Sequence, residues 1–66
     1  MTLTVNGQPQ TIPDGSTLTD LLAVLGLKGQ PCAAEVNRAV VPSQNHDITK
    51  LSEGDTIELV TLVGGG

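Results

Sequence analysis

No phenylalanine, tyrosine or tryptophan occurs among the 66 residues. A hydrophobic core must therefore be built from Leu, Val, Ile and Ala around one or two elements, and a chain this short sits near the lower size at which such a core suffices. One small domain is expected, with no room for a separate catalytic cleft. Basic residues are also scarce, three Lys and Arg against seven Asp and Glu for a net charge of −4. That balance repels phosphate backbones and supplies no basic stripe, which excludes nucleic acid and makes a basic protein surface the natural complement. Cys32 is the single cysteine, so no internal disulfide can form and the even cysteine count of a small secreted scaffold is missing. A reducing, cytoplasmic setting follows. His46 is the single histidine; without a second His or Cys at ligand spacing it reads as a surface side chain rather than a metal ligand. The opening Met1-Thr2-Leu3-Thr4-Val5 has neither a basic region nor a long apolar run, so no signal peptide or membrane span is expected.

What is present is periodicity. Thr2 to Asn6 alternates polar and apolar with Leu3 and Val5 on one face, and Asn6-Gly7 is a strong hairpin signal. A short returning strand is expected over Gln10 to Pro13, closing at Asp14-Gly15. Leu18, Leu21, Leu22 and Leu25 fall at i, i+3, i+4 and i+7, one apolar helical stripe. Thr17 and Asp20 have the spacing of a capping box, and Gly26 supplies a left-handed stop with Leu27 placed to pack back. Cys32 to Val36 reads as a third strand, turned by Asn37-Arg38 into Ala39-Val40-Val41, which Pro42 ends. Ser43 to Leu51 suggests a covering loop with a helical turn, anchored by Ile48 and Leu51. After the turn Ser52 to Asp55, Thr56 to Val63 is the longest β-branched stretch and the candidate central strand. The order β-β-α-β-β-β, with one singly striped helix, gives an α+β two-layer roll: a mixed sheet covered on one face by a single helix. If the last strand lies beside the first, the helical crossover makes them parallel.

Along the final strand Ile57 and Leu59 share a face with Thr61 and Val63, which leaves Glu58, Val60 and Leu62 on the side away from the helix. Exposed apolar residues there suggest a docking patch, although isolated exposed apolar residues are also ordinary. Gly64, Gly65 and Gly66 follow. Glycine adds no packing and loses the most entropy on ordering, so a run of three suits either a loose end or a narrow tail that enters a partner's site. The division expected is a folded domain over residues 1–63 and a flexible tail over 64–66. Within the body no catalytic pair emerges. Cys32 has only Lys28 as a basic neighbour and reads as a partly buried small hydrophobe. Glu53 and Asp55 read as a solvated turn rather than an acid and base.

The hairpin Leu3 to Gly7, the segment Asp14-Gly15-Ser16-Thr17-Leu18 before a Leu-rich helix, then Glu35-Val36-Asn37, Glu53-Gly54-Asp55 and the ending Val63 to Gly66 together resemble the ThiS-type sulfur carrier proteins of thiamine biosynthesis. The resemblance covers essentially the whole chain. It implies a ubiquitin-like β-grasp fold, in agreement with the roll that spacing suggests. It also implies a protein cosubstrate rather than an enzyme. The Gly66 carboxylate would be adenylated by an E1-like adenylyltransferase that uses ATP, and converted to a thiocarboxylate with sulfur from a donor protein. Thiazole synthase would receive the sulfur, with Gly64 and Gly65 threading the partner's active site and Glu58, Val60 and Leu62 docking. No cofactor or metal is expected on the chain itself. Two alternatives keep the fold: a carrier for another pathway, such as the small subunit of molybdopterin synthase, whose chains are usually longer and contain aromatics, or a ubiquitin-like modifier or binding module.

Overall fold

The computed structural model describes residues 1–62. Strands β1 (Thr2–Val5) and β2 (Gln8–Thr11) form an antiparallel hairpin. Its turn residues Asn6 and Gly7 both have positive φ, 50° and 82°, the mirror-image turn whose twist matches the flanking strands. So tight a turn returns the chain to register at once, and β2 therefore starts at Gln8 rather than at the expected Gln10. Pro9 lies within it, opposite Thr4. It is accommodated because β2 is an edge strand, where a missing N–H need not break a ladder.

Helix α1 (Leu18–Val24) has both ends closed by hydrogen bonds. At the start, Thr17 Oγ1 accepts from the Asp20 N–H while Asp20 Oδ2 accepts from the Thr17 N–H. The two donors this capping box leaves over, the Leu18 and Thr19 amides, bond to Thr49 O and His46 O from the long loop. At the other end the Gly26 amide bonds Ala23 O and the Leu27 amide bonds Leu22 O, with Gly26 at φ 75°. This double closure needs a left-handed residue at Gly26. Leu18, Leu21 and Leu22 are buried, and Leu25 and Leu27 are partly buried against the same core.

Strands β3 (Cys32–Val36) and β4 (Ala39–Val41) form a second hairpin, and β5 (Thr56–Thr61) completes the sheet. The strand order is β2-β1-β5-β3-β4, with β1 and β5 parallel and every other pair antiparallel. The mixed sheet under a single helix is the expected α+β roll, and β5 is central as expected. Leu3, Val5, Ile12, Cys32, Ala34, Leu51, Ile57 and Leu59 meet the helix leucines in one core without an aromatic ring. Two expectations for the loop fail. Ile48 is 71% exposed and anchors nothing, and His46 is buried with 8% exposure. The loop has no repeating pattern, so its burial is set by what it packs against. His46 lies behind the 3₁₀ turn Ser43–Asn45, where its Nε2–H donates to Val41 O at 3.1 Å. No helix among the described residues is long and apolar enough to cross a membrane.

Candidate functional site

The central strand is fixed from both sides by asparagine side chains. Asn6, just past the end of β1, accepts the Leu59 N–H on Oδ1 at 2.8 Å and donates Nδ2–H to Leu59 O at 3.1 Å. Its backbone N–H also reaches Ile57 O. The side-chain amide thus extends the β1–β5 ladder after the backbone of β1 has turned away. Asn37, at φ 51° in the second hairpin turn, accepts the Thr56 N–H at 2.9 Å and donates to Asp55 Oδ1 at 3.0 Å. These two roles escape a sequence reading, in which Asn6 and Asn37 are turn residues only.

The acidic turn is likewise more than solvated. Glu53 Oε1 accepts the Thr2 N–H, and Asp55 Oδ2 accepts the Ser52 N–H. Both carboxylates brace the entry to β5, and neither faces a pocket as an acid–base pair. Both bonds lie at the exposed surface, so the turn is solvated as expected and its carboxylates brace the backbone as well.

With β5 held in this way, its side chains divide as the alternation requires. Ile57 and Leu59 are buried, whereas Glu58 and Val60 are exposed on the face away from the helix, Val60 at 59%. Leu62 is 52% exposed, and its N–H still bonds Pro31 O at 2.9 Å. The strand therefore stays tied to the sheet up to the residue before Val63. Gly64, Gly65 and Gly66 lie outside the described residues. Val40 on β4, not singled out from the sequence, is 72% exposed on the same side. Its signal was available: the Asn37-Arg38 turn fixes the β3–β4 register, which places Val40 opposite the exposed Glu35.

Cys32 is buried, as a small hydrophobe should be, and faces a shallow hollow of about 380 Å³ that His46, Ser43 and Lys28 also line. Spacing gave no reason to group Cys32 with His46, yet the fold brings both to this hollow. His46 Nε2 is engaged by Val41 O. Among the described residues no group of three His, Cys, Asp or Glu side chains is placed to hold a metal ion.

A parallel pair of first and last strands at the centre, a hairpin arm on each side and one crossing helix define a ubiquitin-like β-grasp domain. The model of the ThiS family matches residues 3–66, and the chain belongs to that family. A crystal structure of the thiamine biosynthesis protein ThiS from Geobacter metallireducens superposes with a TM-score of 0.83 at 33% identity, covering 100% of both chains. The sulfur carrier protein ThiS of Bacillus subtilis is 34% identical over 53 residues, 80% of each chain. A thiazole synthase of Magnetococcus marinus is 39% identical over 66 residues, the whole of this chain but 20% of that protein. The chain thus spans only a small part of the length of this last relative.

Proposed function

We propose that this chain is a sulfur carrier of thiamine biosynthesis, a protein cosubstrate whose reactive group is the Gly66 carboxylate. The observation that carries the reading is the family match running through residue 66, on a fold that holds the strand leading to the tail in the sheet centre. A carboxylate is a poor electrophile, because its charge repels nucleophiles and oxide is a bad leaving group. In the proposed cycle an E1-like adenylyltransferase lets a Gly66 oxygen attack the α-phosphorus of ATP, and pyrophosphate leaves. A hydrosulfide equivalent from a sulfur-donor protein then attacks the acyl carbon, and AMP leaves. The product is a thiocarboxylate, which passes its sulfur to thiazole synthase.

The chain's own contribution is positioning. The sheet is a handle that docks through Glu58, Val60 and Leu62, and Gly64 and Gly65 carry Gly66 into a channel where any Cβ would crowd the walls. Presenting the carboxylate in this way makes each transfer effectively unimolecular. Thiazole synthase as recipient is supported by the relative of that name, which contains a segment similar to this whole chain.

The test is intact mass spectrometry after incubation with ATP, the adenylating enzyme and a sulfur donor. Exchange of one oxygen for sulfur, located at Gly66 by fragmentation, is the expected result. An unchanged mass, or sulfur located at Cys32 instead, rejects the reading.

A further inference from the structure

The uncovered sheet face carries a feature beyond the docking residues already assigned. β3 and β5 are registered so that Glu35 stands directly opposite Glu58, and β4 places Val40 on the other side of Glu35. All three side chains are exposed. Directly opposed residues on one face have Cβ atoms about 4.5–5.5 Å apart, close enough that like charges oppose folding. Among the described residues the only ion pair joins the Met1 amino group to Asp14, and none of them forms a salt bridge to either glutamate. The next pair on this face toward Leu62 is Val60 opposite Ala33, also exposed. Two uncompensated carboxylates are therefore set beside exposed valines on a face that no element of the fold covers.

We infer that the docking face extends across β3 and β4, and that Glu35 and Glu58 together receive an arginine of the thiazole synthase, set within an apolar surface of that enzyme. The inference rests on the proposal that β5 docks on thiazole synthase. Arginine fits because its planar fork can bond two carboxylates while its weakly hydrated guanidinium lies against aliphatic side chains. Free, the pair opposes folding; docked, the guanidinium between the two carboxylates offsets their mutual repulsion. Affinity and stability should consequently move in opposite directions.

The experiment uses the full chain with Glu35→Gln, Glu58→Gln and Val60→Asp. Each variant is titrated calorimetrically against thiazole synthase at low and high salt, and each free chain is melted. Either Gln variant is expected to melt higher than the parent and to bind about tenfold more weakly at low salt, with a flatter salt dependence. Unchanged affinity for both Gln variants, while Val60→Asp abolishes binding, overturns the arginine but leaves the docking proposal standing. Unchanged affinity for Val60→Asp as well removes the docking proposal itself. An effect of the Gln variants confined to the adenylating enzyme, or to self-association of this chain, also overturns the inference.

Discussion

The two hairpin turns use the same backbone but not the same residues. Asn6–Gly7 and Asn37–Arg38 each hold two successive positive φ angles, 50° and 82° in the first, 51° and 72° in the second. Asparagine at the first position tolerates that region and turns its amide onto β5. Arginine at the second position does not have glycine's freedom. A left-handed non-glycine residue costs about 1–2 kcal/mol, against about 0.5–1 kcal/mol for the greater unfolded-state entropy of glycine. Strain outweighs entropy here, so Arg38→Gly should stabilise the domain by about 0.5–1 kcal/mol, a rise of a few degrees in thermal midpoint. A fall in midpoint would mean that the arginine side chain makes a folded-state contact worth more than the strain. For Asn6 the glycine substitution separates side chain from backbone in the opposite sense. Asn6→Gly keeps the turn but strips the amide from both Leu59 bonds, and the expected loss is about 1–3 kcal/mol by urea unfolding. No loss would show that water replaces the amide at no cost.

At the scale of elements, legibility follows periodicity and short-range chemistry. The α1 stripe, the capping box, the Gly26 stop and the two mirror-image turns are decided by residues within one or two turns of one another, and all were readable. The outward side of β5 was readable for the same reason, because period two fixes both faces once one is buried. The long loop was not. Burial of His46 and exposure of Ile48 depend on where the 3₁₀ turn settles against α1 and β4, and no local pattern encodes that. The Asn6 and Asn37 bridges also depend on pairings between residues 18 to 53 positions apart. Gly26 offers a clean element-scale test, since a Cβ there would meet nothing within 4 Å. Any loss in Gly26→Ala is therefore conformational. A destabilisation of about 1 kcal/mol is expected, with Gly26→Asn recovering part of it because asparagine enters the left-handed region more readily. Equal losses for both variants in chemical denaturation would argue against a left-handed requirement.

At the scale of the whole molecule the proposed function divides labour between a body that recognises and a tail that reacts. Among the described residues the core runs from Leu3 to Leu59. On the proposed reading, changes confined to Gly64, Gly65 and Gly66 should leave stability untouched while altering chemistry. Appending one alanine after Gly66 moves the terminal carboxylate by up to about 3.3–3.6 Å and places a Cβ at the new end. Misplacement of about 1 Å can already cost a hundredfold in rate when the reaction depends on alignment. ATP-dependent pyrophosphate release with the adenylating enzyme should therefore fall by at least about a hundredfold in the extended chain, with its thermal midpoint equal to that of the parent. Retained pyrophosphate release would show that the enzyme reads the body and not the position of the carboxylate. A lowered midpoint would show instead that the tail packs on the domain, and the separation of recognition from reactivity would fail.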